Sequence, residues 1–357
     1  MANQLTERQA RMIIAIGCEP GDERVGAAVA EFGAIRAIEN WKSGLGPKGV
    51  REAIVSVLDS PLLAQATKSL NSVRGRFLIP SDVEWPLALS DLDVAAPIGL
   101  WCVGDRELSE VSNQAIAIVG ARNATTYGER VASDIGGLAA EMRVTVISGA
   151  AFGIDTASHR GALAASGETV AVLACGVDVA YPQAHRGLLT RISEQGLVVS
   201  EAPPGARPHK HRFLSRNRLI AALGSSTVVV EAALRSGSLS TANWASALGR
   251  PVWGIPGPLT SAASAGVHAA IRDGVMKLVA NPIEIFSQFA AKPAHQLGLL
   301  EGTILGLISR DALPTSEISM RLGGNVDSHS LFGALTVLQM QGVISQGSKG
   351  WQLVSAT

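Results

Sequence analysis

The feature that most constrains this chain is a repeated alternation through its centre. Six short apolar runs recur at Ala115–Val119, Val144–Ile147, Val170–Ala174, Leu197–Val199, Thr227–Val230 and Val252–Ile255. Each is apolar throughout and rich in Val and Ile, as a strand covered on both faces must be. The stretches between them predict helices over Glu129–Met142, Ile154–Ser166, His185–Glu194, Arg216–Leu223 and Leu239–Leu248. Strand and helix in strict alternation give an α/β fold with a doubly wound, mostly parallel sheet. Ligands of such sheets sit beyond the carboxyl ends of the strands. Here those ends run into Gly120, Gly149, Gly176, Ser200, Glu231 and Gly257.

The flanks read differently. Residues 1–72 hold short helical patterns over Thr6–Ile16, Asp22–Phe32, Ala34–Trp41 and Val50–Leu58, with Thr6 and Gln9 spaced as a capping box. This is a small all-helical N-terminal domain. Its glycine-rich turn Ser43–Gly49 fits a SAM- or helix-hairpin-helix-like unit, although such turns mostly serve packing. The Pro-rich stretch Ile79–Asp105 reads as an irregular segment laid on the core, which spans 73–290. Ala290–Gly298 reads as a linker. Residues 296–357 give a helix Glu301–Ser309, a second helix capped by Thr315 or Ser316, a longer helix Ser328–Gln341 and a hairpin, which together make a winged helix. The long helix carries no Lys or Arg and Lys349 is the main charge of the wing, so this domain is expected mainly to contact protein or to assist DNA binding weakly.

Lys and Arg total 30, as do Asp and Glu, so the net charge is zero and any nucleic-acid reading must rest on a local patch. No apolar run approaches the roughly 20 residues that span a bilayer. The N-terminus lacks the order of a signal peptide, and a cytoplasmic location without membrane attachment is expected. Cys18, Cys102 and Cys175 are too scattered for a disulfide framework or a zinc site. No metal or cofactor is expected.

The patch lies between Glu201 and Glu231, an interval with no acidic residue that holds Arg207, Lys210, Arg212, Arg216 and Arg218, with His209 and His211 among them. Ser215 is expected to cap a helix beginning at Arg216, which puts Arg216, Asn217 and Arg218 on its first turn. A helix N-terminus disfavours cations, so the cluster needs a reason: a bound anion, or salt bridges to acidic residues elsewhere. Phe213 is a candidate platform for a base.

Neighbouring loops carry compatible chemistry. Gly120–Gly128, GARNATTYG, is neither a GxGxxG fingerprint nor a Walker loop, which argues against a dinucleotide dehydrogenase or a P-loop ATPase. It offers backbone N–H groups and Arg122 to a phosphate. The turn Ser148–Asp155 repeats the device with Gly149, Phe152, Gly153 and Asp155. Asp155 and His159 stand four apart, as a catalytic dyad or, more simply, a structural hydrogen bond. Tyr127 and Tyr181, the only tyrosines, lie in loops after strand ends, and Arg186 is placed to reach the same ligand. Ser238, in the turn SGSLST, adds a hydroxyl at another helix start. Glu231 is expected to orient Arg216 or Arg218. With no GxSxG, HExxH or Cys–His pair, phosphate-sized pockets along one sheet edge favour binding a polyphosphate strand over turnover.

In order, GARNATTYG, SGAAFGID with SHRGAL, CGVDVAYP, SEAPPG, RFLSRNRLIAAL, VVVEA with SGSLSTA, and GIPGP resemble the DNA-processing protein A family, also called Smf, across about 115–275. The resemblance implies a Rossmann-like DNA-binding core that dimerises, single-stranded DNA as ligand and no catalysis. It also implies a recombination mediator that loads the RecA recombinase, notably on DNA taken up in natural transformation. Carried over by motif, the DNA contacts are Gly120, Arg122, the Gly149–Asp155 turn and Phe213 to Arg218. Two positions depart from the family: Phe152 replaces a usual basic residue, and His268 a usual Asn. The competing reading is a nucleotide-processing hydrolase on a related fold, with Glu231 and Asp155 as acid and base, though the Pro-Gly-Gly-x-Gly-Thr turn typical of such enzymes is missing here.

Overall fold

The computed structural model describes residues 5–289, 299–308, 312–323, 326–340, 344–347 and 350–353. They form two compact units, 1–287 and 288–357. The expected linker Ala290–Gly298 and Lys349 lie outside the described residues.

The first unit opens with five helices, α1 (Glu7–Gly17), α2 (Glu23–Phe32), α3 (Ala34–Lys42), α4 (Lys48–Leu58) and α5 (Leu62–Ser72). Thr6 and Gln9 form the capping box of α1, and Asp22 caps α2. Their apolar stripes meet in a core of Ile13, Ile38, Trp41 and Ile54. A second cluster, Met12, Leu70, Phe77 and Trp101, joins the helices to the sheet.

Ile79–Asp105 is more regular than its composition predicts: it is preceded by a strand, holds a 3-10 segment and closes on a second strand. Strands β1 (Arg76–Leu78) and β2 (Leu100–Val103) enclose a 3-10 segment, Leu87–Ala95. Helix α6 (Leu108–Asn113) then leads into β3 (Ala115–Val119), α7 (Thr126–Glu141), β4 (Thr145–Ser148), α8 (Ile154–Ala164), β5 (Thr169–Leu173), α9 (Arg186–Gln195) and β6 (Leu197–Ser200). The chain continues through α10 (Lys210–Leu223), β7 (Ser226–Val229), α11 (Ser238–Ala247), β8 (Val252–Gly254), α12 (Ala265–Arg272) and β9 (Lys277–Leu278).

The sheet order is β1-β2-β6-β5-β4-β3-β7-β8-β9. β3 to β9 pair in parallel, while β2 joins β6 and β1 joins β2 antiparallel. From β3 the chain winds outward through β4, β5 and β6, then returns to β3's other side for β7. Helices α7, α8 and α9 pack in one layer and α10 with α11 in the other. Glycine permits the close approach of α7 and α8: a Cβ at Gly136 would fall 2.4 Å from Ser158 O, and one at Gly161 2.1 Å from Ser133 O. The reversal of strand order leaves a crevice between the carboxyl ends of β3 and β7, the switch point where such sheets hold ligands.

In the second unit, α13 (Leu299–Leu307), α14 (Thr315–Arg321) and α15 (Ser328–Met340) precede the antiparallel pair β10 (Ile344–Gly347) and β11 (Gly350–Leu353). Neither Thr315 nor Ser316 caps α14; Pro314 occupies that position, and Thr315 Oγ1 instead accepts from Trp351 Nε1 at 2.9 Å. Among the described residues no helix is long and apolar enough to cross a membrane.

Candidate nucleic-acid interface

A cleft of about 580 Å³ opens at the switch point. Its walls bring together residues from five loops: Gly120 and Arg122 after β3, Ala151 and Asp155 after β4, Tyr181 after β5, Lys210, Phe213, Arg216 and Asn217 after β6, and Ser236 and Ser238 after β7.

The basic wall is built otherwise than its sequence predicts. Helix α10 starts at Lys210, directly after Pro208 and His209, so Arg216 lies in its second turn. Ser215 caps nothing; its hydroxyl donates to Arg212 O at 3.3 Å. Pro208 is the punctuation, since no breaker separates Lys210 from Arg216. With the earlier start, Lys210, Phe213, Leu214, Asn217 and Ile220 share one helical face, and that face lines the cleft. Arg212 and Arg218 fall on the other side.

Those two arginines are matched internally. Arg218 is 2% exposed. Its Nη1 and Nη2 each donate to Glu201 at 2.6 Å, and Nε donates to Ala95 O at 2.7 Å. A bidentate pair so buried leaves no donor for a ligand. Arg212 donates to both oxygens of Glu19, at 2.8 and 2.6 Å, and His211 shares that carboxylate at 2.8 Å. The Arg212 bond pulls the Glu19 carboxyl down to about 2. Both arginines were expected on the ligand track. Instead they hold α10 to the end of β6, to the segment before β2 and to the turn after α1.

Arg216 is the exception. It is 6% exposed, and among the described residues it takes part in no ion pair. Nη1 donates to Val172 O, and Nε has no partner. Burial pushes its guanidinium down to about 10, with Asp155 opposing the shift from beyond ion-pair distance and Arg122 adding to it. Burial raises the Asp155 carboxyl, and Arg216 counters that. The guanidinium lies flat over Gly149, where a Cβ would fall 1.9 Å from Nη1. A buried cation without a salt bridge is costly unless an anion completes it.

Arg122 sits over the ring of Phe213, 4.7 Å from its centroid, and Tyr181 lies against the same ring at 5.7 Å. Asn217 Nδ2 donates to Gly237 O at 3.1 Å, fastening the loop that carries Ser238. Helices α8, α10 and α11 start at the cleft without a side-chain cap. The dipole ends at three helix starts favour an anion.

Other predicted residues take supporting places. Gly153 has φ +73° and starts α8. Phe152 stands beside the cleft with its ring in a T-shaped contact with His185. Tyr127 lies outside it, its hydroxyl donating to Pro256 O at 2.7 Å. Arg186 lines a separate depression beside Thr190. Glu231 orients neither Arg216 nor Arg218: its oxygens accept from Thr125 N–H at 2.9 Å and Thr125 O–H at 2.6 Å. It thereby fixes the cap of α7 and the loop bearing Arg122, and is no free acid or base. Asp155 and His159 do not meet either. Asp155 accepts from Ala151 N, and His159 Nδ1 pairs with Thr169 Oγ1 at 2.6 Å. Leu214 lines the cleft without having been singled out from the sequence, and Ser236 and Thr241 were read only as part of the SGSLST turn; an α10 start at Lys210 is the signal that finds Leu214.

The family model for DNA recombination-mediator protein A matches residues 76–290. A DprA-type relative from Mycobacterium tuberculosis is 38% identical over 361 residues, covering 95% of this chain and 92% of its own. DprA of Streptococcus pneumoniae is 39% identical over 206 residues, covering 57% of this chain and 71% of its own. The X-ray structure of DNA processing protein A from Streptococcus pneumoniae matches at a TM-score of 0.67 and 30% identity, over 80% of this chain and 99% of that one. The Helicobacter pylori protein, solved for its single-stranded DNA binding mode, matches at a TM-score of 0.53 and 27% identity, over 60% of this chain and 95% of that one. Family model, sequence and fold agree: the chain belongs to the DNA recombination-mediator protein A family, the DprA/Smf proteins.

Proposed function

We propose that the switch-point cleft binds the sugar-phosphate backbone of single-stranded DNA, and that the protein is a recombination mediator rather than an enzyme. The observation that carries this reading is Arg216, a buried cation without an ion pair on the wall of an open cleft. Arg122 and Lys210 add charge along the same walls, and Gly120, Asn217 and Ser238 shape them. Phosphates meeting these groups displace counterions, which gives affinity without sequence preference. The finer reading follows from the family. The protein loads RecA onto single strands in the cytoplasm, including DNA taken up in natural transformation, and dimerises through the Rossmann-like core. Residues 1–72 and 73–290, packed in one compact unit, are the helical domain and the DNA-binding core, and 296–357 is a winged helix for protein contacts.

The test is binding of a labelled poly-dT oligonucleotide and of a duplex of equal length across a salt series. If three phosphates are neutralised, log K falls against log salt with a slope of about −2 for the single strand. Duplex binding equal to or tighter than single-strand binding, or no salt dependence, overturns the reading.

A further inference from the structure

Beside the cleft the loop Gly149–Gly153 holds an aromatic ring in the open. Phe152 is 49% exposed, in a chain where Phe, Tyr and Trp make up 4% of residues. The loop under it is over-determined. Ala150 has a left-handed φ of +52° although it carries a Cβ and is fully buried. Such strain persists only where neighbours enforce it. His185 Nδ1–H donates to Ala150 O at 2.9 Å, Thr156 O–H donates to Ala151 O at 2.6 Å, and Ala151 N–H donates to Asp155 at 3.3 Å. The His185 ring meets Phe152 edge-on, with centroids 4.6 Å apart and planes at 71°. The phenyl ring is therefore held against His185 while half of its surface faces solvent. The residue before it, Ala151, lines the cleft with Tyr181 and Asp155.

We propose that Phe152 is a specificity-determining contact, whose fixed and half-exposed ring stacks on an unpaired nucleobase and so favours single strands over duplex. The inference rests on the single-strand reading. A strand whose phosphates lie along Arg122, Lys210 and Arg216 turns its bases outward, and an aromatic ring beside that track meets their faces. In a duplex those faces are buried against one another, and the ring gains nothing.

The full chain is titrated with three probes of one length: poly-dT, a strand of abasic sites and a duplex. Phe152→Ala is expected to weaken poly-dT binding about tenfold, the size of one base–aromatic stack. Its affinity for the abasic strand, its duplex affinity and its salt slope stay as in the parent, and Phe152→Trp restores poly-dT binding. Unchanged poly-dT affinity in Phe152→Ala, or an equal loss on the abasic strand, overturns the proposal. A parent chain that binds neither single strand overturns the underlying reading instead.

Discussion

The two faces of α10 use arginine in opposite ways. On the far face Arg218 and Arg212 are closed against Glu201 and Glu19. At the cleft, two residues before Arg218, Arg216 takes part in no ion pair among the described residues, and burial lowers its guanidinium. One kind of charge is spent on architecture and the other is left for a ligand. A basic cluster is therefore not one site, and counting its cations overstates the track by the number that carboxylates have already taken.

The largest effect expected from this contrast is on stability. Glu201→Ala leaves Arg218 buried and unpaired, which costs about 3–5 kcal/mol. The melting midpoint, followed by circular dichroism, should drop by about 10 °C, while single-strand affinity per folded molecule is unchanged. Arg216→Ala should do the reverse. It removes a desolvated charge, so stability moves by less than about 1 kcal/mol, while affinity at low salt falls about tenfold, the loss of one charge-assisted contact. Gly149→Ala should reproduce that binding defect, because its Cβ takes the place of the Arg216 guanidinium; a variant binding as well as the parent shows that Arg216 can act from elsewhere.

The smallest effect belongs to Glu19→Gln. Freeing Arg212 should steepen the salt slope by at most about 0.7. The acid limb supplies a second readout. The Glu19 carboxyl is held below its ordinary 4.5, at about 2. Its contribution to stability is therefore complete above about pH 4.5 and fades as pH falls towards 2. The substitution should flatten that part of the acid unfolding curve, by little, since the Glu19 side chain is half exposed.

The central strands were legible because burial on both faces makes each a continuous apolar run. β1 and β2 were not: three and four residues long, they are too short to show periodicity, just before and within a Pro-rich stretch. Helix α5 was missed for want of a cap signal, its N-cap position being Pro61. At the site, the loops could be read from the strand ends, and most lining residues from the motifs that follow those ends. The split within the arginine cluster could not. It depends on where α10 begins, and on Glu19, 193 residues from Arg212 in sequence and in contact with it in the fold.

The most direct test compares salt slopes for poly-dT binding between Arg216→Ala and the double variant Glu201→Met with Arg218→Met, which replaces the buried pair by apolar volume. The account predicts a slope about 0.7 closer to zero for Arg216→Ala and the parental slope for the double variant. A parental slope in Arg216→Ala, or an equal shift in both, would contradict it.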